Sequence, residues 1–164
     1  MDMGDSHAFY NMGCCYDEGV HGLPVDLDRA LTFWHQAGEL GHANSYYNIG
    51  SCYHLGEGVE RDNEKAHHYF ELGAIGGSVE ARFRLGLYEY KPAGNVDQAL
   101  KHFMIAVTFG HSDSLQRIRL MFMNGHATKD EYANALRAYQ AYMVDIKSDQ
   151  RNEAASFSDI YRYY

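Results

Sequence analysis

The chain repeats one short segment at a spacing of about 36 residues. Its three versions are Met12-Gly13-Cys14-Cys15-Tyr16, Ile49-Gly50-Ser51-Cys52-Tyr53 and Leu85-Gly86-Leu87-Tyr88. Self-similarity at such a period is typical of stacked helix pairs, in which each unit buries its apolar face only against its neighbours. The repeat therefore predicts an all-α fold, a right-handed α-solenoid of about four antiparallel helix pairs.

A second set of landmarks marks the second helix of each pair. Three alanines are each followed four residues later by an aromatic residue, in the pairs Ala30–Trp34, Ala66–Phe70 and Ala99–Phe103. Four residues before these alanines stand Asp26, Asp62 and Asn95. Such side chains accept hydrogen bonds from the first free amides of a helix. We therefore expect a helix to begin after each of them.

These landmarks divide residues 1–147 into a repeat domain with units at about 4–41, 42–77, 78–110 and 111–147. In the second unit, we predict one helix over Ala43–Leu55 and another from Asp62 to residues 73–75. In the fourth unit, Thr128 and Glu131 have the spacing of a capping box. The helix that they begin is expected to end near Lys147 and to act as a terminal cap. Residues 148–164 are then a tail, and a short helix over 151–157 is left open.

The N-terminal edge of the first unit has no predicted cap. Either a partner or a second copy of the chain covers this edge, or the chain is a fragment of a longer array. Self-association through the N-terminal edge and membership of a longer adaptor are therefore alternatives to a free-standing binding module.

The composition excludes several classes of partner. The net charge is −8 and no basic stripe is present, which argues against nucleic acid. No apolar run approaches the length of a membrane span, so we expect no membrane insertion. Cys15 and Cys52 share a repeat position, which predicts a separation of about 9–10 Å, too long for a disulfide. Unpaired thiols favour a reducing, cytoplasmic location.

The motifs of common enzymes and metal sites are missing from the sequence. Ten histidines are present, but they form no His-x-x-x-His or His-Glu-x-x-His pattern. The glycines follow the repeat period and form no phosphate-binding loop. We therefore expect no cofactor, no metal and no catalytic residue. An enzyme or small-ligand protein that uses histidine and cysteine side chains is the less favoured alternative.

The second unit resembles the Sel1-like repeat family, whose members are relatives of tetratricopeptide repeats. The matching residues are Tyr47-Asn48-Ile49-Gly50, Tyr53, Gly56-Glu57-Gly58-Val59, Asp62, Lys65-Ala66, Phe70 and Gly77. The resemblance extends over about residues 4–145, although Pro92 replaces a turn glycine in unit three and unit four departs in its second helix. It implies a non-catalytic scaffold or adaptor that binds proteins.

The resemblance also implies a binding groove lined by the first helix of each unit. The position before the Leu-Gly pair points into the groove of the tetratricopeptide relatives, and two further columns follow it. The predicted groove residues are Asn11, Asn48, Arg84, Arg117, Ser51, Leu87 and Lys91. Amides can bond a peptide backbone and guanidinium groups can bind carboxylates bidentately. The expected partner is therefore a protein or peptide with acidic residues or a free carboxylate. Alternatively, these side chains only join adjacent helices or face solvent.

Overall fold

The computed structural model describes residues 5–91 and 94–160, with side chains up to residue 150. The described residues form eight α-helices and no β-strand, which confirms the all-α prediction. The helices are α1 Ser6–Glu18, α2 Leu27–Glu39, α3 Ala43–Leu55, α4 Asn63–Ile75, α5 Val79–Tyr90, α6 Val96–Thr108, α7 Ser112–Met123 and α8 Lys129–Ile160. The chain divides into two compact units, Met1–Ala99 and Leu100–Tyr164.

The predicted N-caps determine where α2 and α4 begin. A side-chain oxygen of Asp26 accepts a hydrogen bond of 3.0 Å from the amide of Arg29. Asp62 accepts bonds from the amides of Glu64 and Lys65, at 3.0 and 2.9 Å. Each bond satisfies an amide that has no partner within its helix. The bounds predicted for α3, Ala43–Leu55, are confirmed, and α4 begins after Asp62 and ends at Ile75, as predicted.

Close contact between a glycine and an aromatic ring joins the helices of the first two pairs. A Cβ atom added to Gly13 of α1 would lie 2.5 Å from the indole ring of Trp34 in α2. At Gly50 of α3 it would lie 2.7 Å from the ring of Phe70 in α4. Both rings are buried. The repeated glycine therefore leaves the space that the repeated aromatic residue fills, which is the physical reason for the sequence period.

The second compact unit packs α7 against α8. Ile118 and Met121 of α7 and Ala135 of α8 are buried there. The predicted capping box forms, because the Glu131 amide donates to Thr128 Oγ1 at 3.2 Å and Glu131 Oε2 accepts from the Thr128 amide at 2.7 Å. The backbone amides of Thr128 and Glu131, which have no partner within the helix, are thus both hydrogen-bonded.

The prediction that the last helix ends near Lys147 is wrong. α8 continues without a break from Lys129 to Ile160, so residues 151–157 belong to it and form no separate helix. Residues 148–160 contain no glycine or proline that would end a helix, and their alanines and long polar residues favour helix formation. The predicted tail over residues 161–164 and the turn at Pro92 lie outside the described residues.

None of the described helices is both long enough and apolar enough to cross a membrane.

Candidate functional site

The first compact unit contains a cavity of about 470 Å³ between α3, α4 and α5. Helix α4 lines it with one face, whose residues recur at the helical spacing i, i+3, i+4 and i+7: Asn63, Ala66, His67 and Phe70. Helix α5 lines the other side with an equivalent face, formed by Arg84, Leu87 and Tyr88. Lys91, the C-cap of α5, also lines the cavity. His54 of α3 and Arg61 of the α3–α4 loop complete the wall. We call these ten residues the basic cavity.

The basic cavity is positively charged although the chain is acidic. Its described lining includes Arg61, Arg84 and Lys91, with no aspartate or glutamate, while the whole chain has a net charge of −8. Within the described part of the chain, no carboxylate oxygen lies within 4.0 Å of a charged nitrogen of these three residues. Local positive charge of this kind attracts anions.

Two acidic side chains near the basic cavity, Asp62 and Glu71, form no ion pair with Arg61, Arg84 or Lys91. Asp62 follows Arg61 directly in the sequence, but its carboxylate caps α4 and lies 3.7 Å from Lys65 Nζ. Glu71 lies 3.8 Å from His67 Nδ1. Neither carboxylate neutralises an arginine of the basic cavity.

A ring of the neighbouring helix orients Arg84. The guanidinium carbon of Arg84 lies 5.9 Å from the centroid of the Tyr47 ring on α3. A guanidinium group that rests on an aromatic face keeps its planar edge of N–H donors available for an anion. Arg84 is half-buried, so part of its hydration is already removed.

The floor of the cavity is apolar. Phe70 and Ala66 are buried, and Leu87 is half-buried. The His67 ring lies 4.4 Å from the Tyr88 ring, measured between centroids. A basic rim over an apolar floor suits an anionic group that is attached to a carbon stem.

The structure brings three of the predicted groove residues together at the cavity, Arg84, Leu87 and Lys91. Other members of the predicted set make contacts inside the first compact unit. Asn48 Nδ2 lies 3.9 Å from Cys14 Sγ and so joins α3 to α1. Ser51 Oγ donates to the carbonyl oxygen of Tyr47 at 2.9 Å. The Asn48 contact agrees with the alternative in which these side chains join adjacent helices, whereas the Ser51 bond lies within α3.

The remaining two predicted residues are not among those that line the cavity. Asn11 is exposed on α1, and Arg117 is exposed on α7 in the second compact unit. Sequence reasoning did not assign the other seven lining residues to the site: His54, Arg61, Asn63, Ala66, His67, Phe70 and Tyr88. The spacing of Tyr88 from Arg84 on α5 could have indicated it. Nothing in the repeat pattern indicates that the loop residue Arg61 belongs to the same wall.

The three cysteines are unpaired in the structure. Cys14, Cys15 and Cys52 are free thiols, as predicted. Burial is the main cause that raises the pKa of Cys52 to about 11, which keeps it as the unreactive thiol at neutral pH. Burial also raises the pKa of Tyr10. Within the described ranges, no three residues of the histidine, cysteine, aspartate and glutamate types are placed to hold a metal ion.

The helix pairs, with a glycine–aromatic contact in each of the first two, place this chain in the class of α-helical repeat proteins. Within that class, this chain contains Sel1 repeats: the model of the Sel1 repeat matches residues 6–42 and 43–78. The suspected family resemblance is thereby confirmed. The two matched segments coincide with the pairs α1–α2 and α3–α4.

A solved structure has the same fold over most of the chain. The crystal structure of a Sel1 repeat protein from Oxalobacter formigenes matches with a TM-score of 0.73 and 25% sequence identity, over 86% of this chain and 59% of that one. The match confirms the α-solenoid class of helix pairs predicted from the period.

Curated relatives include regulatory proteins. The chain is 28% identical over 120 residues to chitin synthase regulatory factor 4 of Schizosaccharomyces pombe, which is 73% of this chain and 19% of that protein. It is 34% identical over 142 residues to DAP3-binding cell death enhancer 1 of Rattus norvegicus, which is 85% of this chain and 28% of that protein. The chain thus spans less than a third of either relative. Sel1 repeat proteins generally mediate protein–protein interactions.

Proposed function

We propose that this chain is a non-catalytic interaction module that binds an extended acidic segment of a partner protein along the first helices of its repeats. The basic cavity anchors a carboxylate of that segment, either of an acidic side chain or of a free C-terminus. One observation carries the proposal: three cations line one cavity, and no carboxylate oxygen of the described residues lies within 4.0 Å of their charged nitrogens, in a chain of net charge −8. Arg84 is half-buried and gains most from an incoming anion, while the exposed Arg61 and Lys91 add positive charge at the rim.

The remaining predicted residues have secondary parts in this proposal. The exposed amide of Asn11 on α1 is available to bond a peptide backbone. Asn48 and Ser51 support the groove through their contacts with Cys14 and Tyr47. Arg117 stays a predicted contact, which the single variant Arg117→Gln tests separately. The names of the two relatives, a regulatory factor and a binding protein, are compatible with an interaction role.

The test is a comparison of matched peptides and matched variants by fluorescence anisotropy. The probes are a pool of labelled peptides rich in aspartate and glutamate and the same pool with asparagine and glutamine in their place. We expect Arg84→Gln/Lys91→Gln to weaken acidic-pool binding at least about tenfold, because two charge-assisted bonds are lost. The control Lys101→Gln/Lys129→Gln removes the same charge at exposed positions outside the cavity and should change affinity less than about twofold.

Equal binding of the acidic and neutral pools would contradict the proposal. So would equal losses in the cavity variant and the control variant, because the effect would then follow from net charge alone. Self-association through the N-terminal edge stays a prediction, which sedimentation velocity over a range of protein concentrations tests.

A further inference from the structure

We infer that the basic cavity recognises a phosphate monoester on a side chain of the partner segment, in preference to a carboxylate. The inference rests on the proposed function, since it concerns the same cavity and the same kind of partner. It adds the chemical group that the cavity selects.

The number of charges favours a dianion. Arg61, Arg84 and Lys91 are permanently charged at neutral pH, and the described lining supplies no anion against them. A carboxylate brings one negative charge, whereas a phosphate monoester brings about 1.5 to 2 at pH 7. Three cations around one cavity repel one another, and a dianion relieves more of that repulsion than a monoanion does.

The types of donor favour three acceptor oxygens. Arg61 and Arg84 each offer a planar fork of N–H groups, and Lys91 offers a compact ammonium group. Guanidinium forks bind phosphate oxygens bidentately, and an ammonium group binds them as a point charge. The Asn63 amide and the Tyr88 hydroxyl in the same wall are further donors. A phosphate monoester has three terminal oxygens for these groups, and a carboxylate has two.

The Arg84 side chain and the backbone positions of Arg61 and Lys91 are held before any ligand arrives, while the side chains of Arg61 and Lys91 are exposed. Arg84 rests on the Tyr47 ring. The backbone amide of Lys91 donates to the carbonyl oxygen of Leu87 at 3.0 Å, which holds Lys91 at the end of α5. Arg61 packs against the turn at Gly56, where an added Cβ would lie 3.2 Å from the Arg61 Cβ. Preorganisation of this kind lowers the entropy that is lost when an anion binds.

The size of the cavity indicates an anion on a stem. A volume of about 470 Å³ lies within the range of small-ligand pockets, so it accommodates more than an inorganic ion. The apolar floor at Phe70 and Leu87 can cover the carbon atoms of the side chain that carries the phosphate.

Three labelled peptide pools test the inference, each with randomised flanks and a central phosphoserine, glutamate or serine. For the native chain, we expect the phosphoserine pool to bind at least about tenfold more tightly than the glutamate pool, and the serine pool to bind weakest. Arg61→Gln, Arg84→Gln and Lys91→Gln should each reduce the preference for phosphoserine over glutamate. Lys101→Gln/Lys129→Gln should leave it unchanged.

Two further measurements complete the design. Arg84→Lys keeps the charge but loses the planar fork, so it should retain binding of the glutamate pool better than binding of the phosphoserine pool. Inorganic phosphate is the competitor that separates a phosphorylated partner from a free anion, and we expect it to displace the phosphoserine pool only at much higher concentration. Circular dichroism of each variant confirms that the helices are retained.

The failures of the two proposals are distinguishable. Equal binding of the phosphoserine and glutamate pools overturns the inference and leaves the proposed function standing. Displacement by inorganic phosphate at the concentration of the peptide pool also overturns it, because the cavity would then hold a free ion. Equal binding of all three pools overturns the inference together with the proposed function.

Discussion

Two pairs of residues, Gly13 with Trp34 and Gly50 with Phe70, determine how closely the helices approach within the first two pairs. In each pair, only glycine fits at the first position, because the aromatic ring occupies the space that a Cβ atom would need. A glycine in a helix interior costs about 1 kcal/mol relative to alanine. This cost is more than offset, because a buried aromatic side chain stabilises the fold through the apolar surface that it removes from water.

We predict that Gly50→Ala lowers the free energy of unfolding by about 1–2 kcal/mol. The helix itself gains up to about 1 kcal/mol from alanine, but the added methyl group would meet the Phe70 ring at 2.7 Å, and overpacking costs about 1–3 kcal/mol. Urea unfolding followed by circular dichroism measures the difference.

The matched control is Gly50→Ala combined with Phe70→Leu, which removes the ring that the methyl group meets. The double variant should lose less stability than the sum of the two single variants, because the clash is absent from it. A Gly50→Ala variant as stable as the native chain would show that the contact tolerates a methyl group.

At the scale of elements, the start of α8 illustrates how a local sequence signal becomes a local structure. Thr128 and Glu131 bond each other's amides, as their spacing predicts. The Thr128 hydroxyl also donates to Glu131 Oε2 at 2.8 Å. The hydrogen bonds from the Thr128 amide and hydroxyl lower the pKa of Glu131 from its ordinary value of 4.5.

This pKa shift predicts a pH dependence of stability. Because the pKa of Glu131 is lower in the folded chain, its carboxylate stabilises the fold above pH 4.5, and this contribution is lost as the pH falls through the folded pKa. Glu131→Gln should therefore destabilise the chain at pH 6 by less than about 1 kcal/mol, since the cap is largely open to solvent.

Thermal unfolding of the native chain and of Glu131→Gln at pH 6, 5, 4 and 3 measures this effect. The difference between their melting temperatures should shrink below pH 4.5 and be smallest at pH 3. Asp149→Asn is the control, because Asp149 is exposed later in α8 and outside the capping box. A difference that is constant from pH 6 to pH 3 would contradict the assignment.

At the scale of the whole molecule, the chain consists of two compact units, and the neighbours of each helix differ within the first of them. Helix α3 packs against α2, α4 and α5, whereas the main neighbour of α1 is α2. In repeat proteins, stability depends on such nearest-neighbour interfaces. The interior helices of residues 1–99 therefore have more packing to lose before they open.

We predict that amide hydrogen exchange is slowest in α3 and α4 and at least about tenfold faster in α1. The reason is that α1 opens at the loss of fewer interfaces than α3. Exchange followed by mass spectrometry resolves the helices through their peptides. Exchange in α1 as slow as in α3 would show that the N-terminal edge is covered, as self-association through that edge requires.

The helix pairs and their caps were predictable because they depend on residues close together in sequence. The bounds of α3 and α4 follow from Asp62 and Gly56, and the pairing follows from the repeated glycine and aromatic residue. The predicted end of α8 near Lys147 is wrong because the sequence offers no stop signal between Lys129 and Ile160, so local signals do not determine where this helix ends.

The site was predictable only in part. Arg84, Leu87 and Lys91 have the helical spacing i, i+3 and i+7 along α5 and its C-cap, and the family resemblance placed them in one groove. Arg61 and His67 reach the same cavity only because α4 and its preceding loop lie beside that face. Asn48 shares a repeat column with Arg84, and Ser51 shares one with Leu87, but neither lines the cavity: the Asn48 amide contacts Cys14, and the Ser51 hydroxyl donates to the Tyr47 carbonyl oxygen.

The sequence by itself thus determined the class of fold, because capping, helix period and glycine–aromatic complementarity act over a few residues or recur in each unit. Only the tertiary structure decided which charges stay unpaired. Whether a cation is neutralised depends on the distance to every carboxylate around it, and those distances exist only after the helices pack. The basic cavity is the place where packing left Arg61, Arg84 and Lys91 together without an acidic partner among the described residues.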